Sequence, residues 1–213
     1  MLMIPGPTDS PEEVLRRCGL PAFPHYELDF PRFYGALVGK MKAIFGLERG
    51  QVFIANGSGS TAVNMILASL CAPDQSVLVV NNGSFGAWGE LNIRSLGARC
   101  VSVTAEPGAV ADLDAVRDEM KRGGHRLIYA VHNESSTGVA NPLEPLGAIA
   151  REFGALLLVD AVSAVGGMVI DMDRAGVDAA AGASQKCLEL PPGLALAAVG
   201  ERAWARLRAR PAR

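Results

Sequence analysis

Residues 155–161 read ALLLVDA, a run of five apolar residues that ends at the carboxylate of Asp160. A short apolar run of this kind is typical of a strand buried on both faces of a parallel sheet. Six further runs of similar length occur: QVFIA from Gln51, SVLVVN from Ser76, ARCVSV from Ala98, RLIYAVH from Arg126, DAAAGAS from Asp178 and LALAAV from Leu194. Their alternation with helical-length segments predicts an α/β fold, a mostly parallel seven-stranded sheet with helices on both faces.

The helical segments carry the residues expected at helix starts and ends. STAVNMILASL, LDAVRDEMKR and PLGAIAREFG follow predicted strands, with Pro142 or Pro145 at a helix start and Gly154 near a helix end. Residues 1–50 differ, because two proline-marked stretches precede a helix predicted around GALVGKMKAIFGL. We therefore expect residues 1–50 to form an N-terminal arm and helix, and residues 51–213 to form the main domain.

Composition excludes several classes of function. The 213 residues are 49% hydrophobic and carry 20 basic and 22 acidic residues, a balance typical of a soluble globular protein and not of a nucleic-acid-binding one. The arginines from Arg202 onward are interpreted as a solvated helix end. Four cysteines without a CxxC pair predict neither a metal site nor a disulfide framework and favour the cytoplasm. Neither a signal peptide nor a membrane span is expected.

Polar residues follow several predicted strands, and ligands of parallel α/β sheets bind at these carboxyl ends. After QVFIA comes NGSGST, residues 56–61, leading into a helix. Glycines and hydroxyls at a helix start suit a phosphate, and they equally suit an N-cap and turn. The stretch lacks both the P-loop and the dinucleotide-binding spacing.

Three other strand ends carry candidate chemistry. Asp160 is either a turn cap or a carboxylate paired with a cationic group or a ring nitrogen. Lys186, in GASQKC, is either a snorkelling surface lysine or a desolvated, nucleophilic one. The stretch HNESSTG from His132 is either a solvated loop or a pocket wall, where His132 can contact a ligand. His25 and His125 are interpreted as surface or loop residues.

Together these features match what pyridoxal phosphate requires. A helix start binds the phosphate, a buried carboxylate keeps the pyridine nitrogen protonated, and a lysine forms a Schiff base and moves a proton. Each feature is weak alone, but all of them fall on strand ends of one predicted sheet. The combination favours a pyridoxal phosphate enzyme.

Three longer strings carry a family resemblance. NESSTGVANPL, LLLVDAVSAVGG and GASQKCLELPPGLALAAV resemble class V aminotransferases, in particular the alanine–glyoxylate / serine–pyruvate aminotransferase group. The resemblance extends from about Pro5 to the end of the chain. It implies the large domain of a fold-type I pyridoxal phosphate enzyme, a homodimer with its cofactor sites at the subunit interface, and amino transfer from alanine or serine to glyoxylate or pyruvate.

The resemblance also implies roles for individual residues. Lys186 is the Schiff-base lysine and Asp160 the partner of the pyridine nitrogen, which makes them the catalytic pair. The remaining cofactor-binding candidates are Ser58, Gly59, Ser60, Phe85, Ser135, Val162 and Gln185. Of these, Phe85 and Val162 can also be plain core residues and Gln185 can cap a turn. Residues 5–7, PGP, match a stretch that helps to shape the substrate pocket.

The chain departs from the family pattern after LALAAVGERAW. Family members continue into a smaller C-terminal domain, expected to be missing here, whose arginine grips the substrate carboxylate. Two alternatives therefore stay open beside an active aminotransferase. One is a truncated, catalytically inactive remnant that binds pyridoxal phosphate. The other is a different class V enzyme such as a cysteine desulfurase, which is less favoured because there the lysine usually follows a histidine, whereas here Gln185 precedes it.

Overall fold

The computed structural model describes residues 2–21, 24–27 and 29–209. The helices are α1 (Glu12–Cys18), α2 (Asp29–Phe45), α3 (Gly59–Leu70), α4 (Ser84–Ser95), α5 (Leu113–Gly123), α6 (Leu143–Glu152), α7 (Met172–Ala175) and α8 (Glu201–Arg208). The strands are β1 (Gly50–Gly57), β2 (Ser76–Asn81), β3 (Arg99–Thr104), β4 (Leu127–Val131), β5 (Asn133–Glu134), β6 (Val139–Ala140), β7 (Leu156–Asp160), β8 (Ala179–Ala183) and β9 (Gly193–Gly200). Parts of the predicted arm and of the C-terminal arginine run, residues 1, 22–23, 28 and 210–213, lie outside the described residues.

Seven strands form one sheet in the order β1-β9-β8-β7-β4-β2-β3. The five strands from β8 to β3 pair in parallel, whereas β9 is antiparallel to both of its neighbours. The loop between β8 and β9 is too short for the helical crossover that a parallel connection needs, so β9 returns antiparallel. The predicted mostly parallel seven-stranded sheet is confirmed, and each of the seven apolar runs is one of its strands.

Helices cover both faces of the sheet, as predicted. On one face α2, α5, α6 and α7 contribute buried side chains such as Phe45, Met120 and Leu146 to a first hydrophobic core. On the other face α3, α4 and α8 contribute Ile66, Ile93 and Ala203 to a second core. Strand residues alternate between the two cores, because successive side chains of a strand point to opposite faces.

The N-terminal arm lies against the loop between β8 and β9. Thr8 N donates to Gln185 O at 3.1 Å, and Thr8 Oγ1 donates to Lys186 O at 2.9 Å. Helix α2 then places the fully buried Phe45 in the first core. Helix α2 thus shares the core of the domain that follows, and a division at residue 50 stays a prediction.

His125 lies in the loop between α5 and β4, and Arg202 is exposed on α8, as expected, but both make contacts that the sequence did not indicate. His125 is buried: its ring nitrogens lie 2.9 Å from Ser76 Oγ and 3.2 Å from Glu119 Oε1, because α5 packs back onto the start of β2. Arg202, expected in a solvated helix end, donates to Ala155 O at 2.7 Å and to Asp178 Oδ2 at 3.4 Å. This arginine therefore fastens α8 to the sheet.

The described part of the chain has no helix with the length and apolarity that a membrane crossing requires.

Candidate active site

A cavity of about 300 Å³ opens at the carboxyl edge of the sheet, where α3 and α4 begin. Seven of the nine predicted site residues line it: Gly59, Ser60, Phe85, Ser135, Asp160, Val162 and Lys186. The structure does not place Ser58 or Gln185 in this wall. Parallel strands bring their carboxyl ends together, so residues far apart in the sequence meet here.

Asp160 ends β7 at the inner side of the cavity. Its side chain is 5% exposed, and its Oδ1 accepts a hydrogen bond from Val162 N at 2.9 Å. Burial raises the pKa of this carboxyl to about 6, and the nearby Glu134 acts in the same direction, whereas the bond from Val162 and the charge of Lys186 lower the pKa. The positive charge near this carboxylate therefore does not offset the cost of its burial, and a cationic N–H placed against it would stabilise its ionised form.

Lys186 enters the cavity from the loop between β8 and β9. The fully buried Ser184 holds that loop, because its Oγ donates to Pro191 O at 2.8 Å and accepts from Leu194 N at 3.2 Å. The lysine side chain is half-buried beneath the N-terminal arm: a Cβ added at Gly6 would lie 2.7 Å from Lys186 Nζ. Glycine at position 6 therefore leaves the space that the lysine side chain occupies.

The start of α3 presents free backbone amides to the cavity. Ser58 is the N-cap: its Oγ accepts from Thr61 N at 3.3 Å, while Thr61 Oγ1 accepts from Ser58 N at 3.1 Å. The helix itself provides no acceptor for the amides of Gly59 and Ser60. A Cβ at Gly59 would lie 2.7 Å from Val162 Cγ1, so only glycine lets the helix start approach this wall. Amides at a helix N-terminus favour an anion.

The opposite wall comes from α4 and from the strand that follows β4. Phe85 and Trp88 lie one turn apart on the same face of α4, and both line the cavity. Asn133 and Ser163 form a mutual pair, in which Asn133 Nδ2 donates to Ser163 Oγ at 3.0 Å and Ser163 Oγ donates to Asn133 O at 2.9 Å. With Val162, the two aromatic rings give the cavity lining apolar groups of the kind that pack against a flat ring.

Several lining residues were not predicted: Val63, Ser84, Trp88, Val131 and Ser163, whereas Asn133 belongs to the HNESSTG stretch named as a possible pocket wall. The spacing of Trp88 three residues after Phe85 is the signal that could have identified it. His132, in contrast, faces away from this cavity. It lies between β4 and β5 and lines a second cavity of about 270 Å³ with Asn141 and Arg174. Burial lowers the pKa of His132.

The described residues contain no cluster of three or more His, Cys, Asp or Glu side chains that could hold a metal ion.

Comparisons with known proteins agree with this architecture. The alanine–glyoxylate aminotransferase of Rattus norvegicus is 30% identical over 210 residues, which cover 99% of this chain and 51% of that protein. An uncharacterized aminotransferase of Methanocaldococcus jannaschii is 34% identical over 205 residues, 96% of this chain and 53% of that one. The crystal structure of the ureidoglycine–glyoxylate aminotransferase of Bacillus subtilis superposes with a TM-score of 0.94 at 30% identity, over 98% of this chain and 54% of that chain.

The chain thus spans about half the length of the curated relatives it matches. A family model described as aminotransferase class-V matches residues 39–210. This match includes the candidate lysine, the candidate aspartate and the helix start that faces them. The chain therefore belongs to the class V aminotransferase family and has the α/β fold of fold-type I aminotransferases.

Proposed function

We propose that this chain binds pyridoxal 5′-phosphate in the cavity at the carboxyl edge of the sheet and acts as an aminotransferase through Lys186. The observation that carries the proposal is the convergence of three groups on one cavity of about 300 Å³: the Lys186 amine, the Asp160 carboxylate and the free amides at the start of α3. This volume lies within the range of small-molecule sites.

The residues present fit the cofactor. The amides of Gly59 and Ser60 would hold its phosphate, as helix N-termini do. Phe85 and Val162 would contact the two faces of its ring. Asp160 would accept a hydrogen bond from the protonated ring nitrogen, which supplies the positive charge that this buried carboxylate lacks. Bound in this way, pyridoxal phosphate supplies an electron-withdrawing ring that acidifies the α-C–H bond of an attached amino acid.

Lys186 performs the proton chemistry in this proposal. Its amine would hold the cofactor covalently, and it would carry a proton from the substrate α-carbon to the cofactor carbon, which is the transfer that an amino-group exchange requires. Ser184 fixes the loop that carries Lys186, and the arm at Gly6 covers the lysine side chain from the solvent side. Both contacts limit where the amine can move.

Ser58, Ser135 and Gln185 have supporting roles in the proposal. Ser58 caps α3 and thereby fixes the direction of its amides. Ser135 lines the cavity and can hydrogen-bond the cofactor. Gln185 Oε1 is buried and has no hydrogen-bond partner among the described residues, so it can accept one from a ligand or from an ordered water.

Small substrates are the best match. We infer an amino donor such as alanine or serine and an acceptor such as glyoxylate or pyruvate. The names of the relatives support this choice, since they include alanine–glyoxylate and ureidoglycine–glyoxylate aminotransferases.

One observation favours a second candidate function, a catalytically inactive form that binds pyridoxal phosphate. Among the described residues no arginine lines the cavity, although a guanidinium is the usual partner of a substrate carboxylate.

A homodimer in the cytoplasm completes the proposal. Phe85 is 41% exposed at the cavity mouth, which a second subunit would cover. All four cysteines are free, as is usual in a reducing compartment.

An amino-transfer assay tests the function directly. The purified chain with pyridoxal phosphate is given alanine or serine together with glyoxylate or pyruvate, and the new amino acid is quantified. We expect activity in the unmodified chain and in Lys40→Ala, and none in Lys186→Ala. Cofactor binding without transfer by any pair would support the inactive form. Equal activity in Lys186→Ala would contradict both candidates.

A further inference from the structure

A buried carboxylate behind the cavity wall has no part in the chemistry above. Glu134 ends β5, directly before Ser135, and is 0% exposed. Its Oε2 accepts from Phe85 N at 3.1 Å and from Gly86 N at 3.0 Å. Its Oε1 accepts from Ser136 N at 3.1 Å and from Ser136 Oγ at 2.6 Å. One carboxylate thus joins two chain segments that are far apart in sequence.

This carboxylate takes the place of an N-cap for α4. The N-cap position is Gly83, which has no side chain to satisfy the first amides of the helix. Glu134 satisfies two of these amides, and Ser136 Oγ accepts a third from Ser84 N at 2.9 Å. A Cβ at Gly83 would lie 2.5 Å from both Glu134 Cδ and Ser136 Oγ, so glycine makes the close approach of the carboxylate possible.

We propose that Glu134 is a positioning residue of the cavity, which locks Phe85 on α4 and Ser135 on the loop after β5 into one fixed arrangement. The proposal rests on the proposed cofactor site, since its benefit is to hold two of the walls that would contact the cofactor. Glu134 acts through its neighbours, because the cavity lining includes Phe85 and Ser135 on either side of it.

The chemistry of the four hydrogen bonds requires a carboxylate. Both oxygens of Glu134 accept, and every group facing them donates. An amide has one accepting oxygen, and its NH₂ group donates. In Glu134→Gln, an NH₂ group facing α4 would oppose the two amides of Phe85 and Gly86, and one facing Ser136 would oppose the Ser136 amide, because only the Ser136 hydroxyl can turn to accept. An amide of the same shape is therefore expected to lose hydrogen bonds either to α4 or to Ser136.

The first measurement is amide hydrogen exchange at Phe85 and Gly86 in the ligand-free chain. In Glu134→Gln we expect exchange at these two amides to accelerate about tenfold or more, because they lose charge-assisted bonds. Ser136→Ala keeps the carboxylate and should produce a smaller increase, and it serves as the second variant if Glu134→Gln does not fold. Unchanged exchange in both variants would overturn the proposal.

The second measurement is pyridoxal phosphate affinity, read from quenching of Trp88. The chain contains two tryptophans, and Trp204→Phe leaves Trp88, which lines the cavity, as the reporter. In this background Glu134→Gln should raise the Kd about tenfold or more. Asp178→Asn is the matched control: it removes another buried carboxylate that accepts from a backbone amide, Leu157 N, at the other end of β7, and should leave the Kd within about twofold.

The outcomes separate the two proposals. If the unmutated chain binds the cofactor and Glu134→Gln binds it equally well, the positioning role is wrong while the proposed function stands. If Asp178→Asn raises the Kd as much as Glu134→Gln does, the effect of Glu134 on binding is a general effect on stability, and its specific positioning role is wrong. If the unmutated chain does not quench, the proposed cofactor site fails, and hydrogen exchange alone decides whether Glu134 holds the two segments.

Discussion

Asp160 has opposite effects on stability and on function. Its folded pKa of about 6 lies above its ordinary value of 3.8, mainly because burial disfavours the charged form. The charged side chain therefore destabilises the ligand-free fold at neutral pH, by at most about 3 kcal/mol for a shift of this size. Asp160→Asn should raise the free energy of unfolding by about 1–3 kcal/mol at pH 8, measured by chemical denaturation, while weakening pyridoxal phosphate binding.

The pH dependence of this gain follows from the sign of the shift. Below the folded pKa Asp160 takes up a proton in the native state, so the penalty of its charge is lost as the pH falls from 6 toward 4. The stability gain of Asp160→Asn should accordingly shrink between pH 8 and pH 5. A gain that is equal at both pH values would show that the buried charge is not its source.

Single residues also show what the sequence predicts well. Lys186, Asp160, Ser135 and Phe85 all follow predicted strands, and parallel strands place such residues at one edge whatever the intervening loops do. Ser58 was harder to assign, because N-caps and phosphate-binding turns use the same residue types. His132 was expected beside the candidate site but lines the second cavity, since the sequence does not show to which side of the sheet the residue between β4 and β5 points. Glu134 lies in the HNESSTG stretch named as a possible pocket wall, but its role could not be predicted, because two of its partners are backbone amides of a distant helix.

At the scale of secondary structure elements, the seating of α4 on the sheet depends on Gly89. A Cβ at this position would lie 2.6 Å from Cζ and 2.8 Å from Oη of the fully buried Tyr129 on β4. We expect Gly89→Ala to lower the free energy of unfolding by about 1–3 kcal/mol through overpacking, measured by thermal or urea denaturation.

Gly35→Ala is the matched control for Gly89→Ala. Gly35 is also helical, and a Cβ there would meet nothing within 4 Å. Helix propensity alone should make Gly35→Ala stabilising by about 0.5–1 kcal/mol. If both substitutions stabilise the protein, close contact between α4 and β4 is not what Gly89 provides.

The elements differed in how well the sequence revealed them. The seven sheet strands were all recognised, because buried parallel strands are continuous apolar runs. Helix α4 was not recognised, since its sequence SFGAWGELNIRS contains two glycines. The side chains that cap its first amides, Glu134 and Ser136, also lie far from it in the sequence. The short β5 and β6 form a two-residue ladder, which is too brief to leave a periodic pattern.

For the whole molecule, two buried acids dominate the expected pH dependence of stability. Burial raises the pKa of Asp178 to about 6, as it does for Asp160, while burial lowers the pKa of His132. The two acids make the fold more stable as the pH falls through 6, whereas His132 makes it less stable as the pH falls through its unfolded value of about 6.5.

A double variant separates these contributions. The unmutated chain should be more stable at pH 5.5 than at pH 7.5, because two carboxyls outweigh one imidazole. Asp160→Asn combined with Asp178→Asn removes both carboxyls. This double variant should be less stable at pH 5.5 than at pH 7.5, because only the loss of stability caused by His132 protonation remains. Urea denaturation at the two pH values measures this. The same order in both proteins would mean that these groups do not control the pH dependence.

The proposal for the whole molecule is that one chain, matching about half of each relative, assembles a cofactor site around Lys186. To test it, the purified protein is incubated with pyridoxal phosphate and reduced with borohydride, and the adduct is located by peptide mass spectrometry. We expect a visible absorbance band that depends on the cofactor and a label on Lys186. No band, or a label scattered over surface lysines such as Lys40 and Lys121, would show that the chain does not form this site.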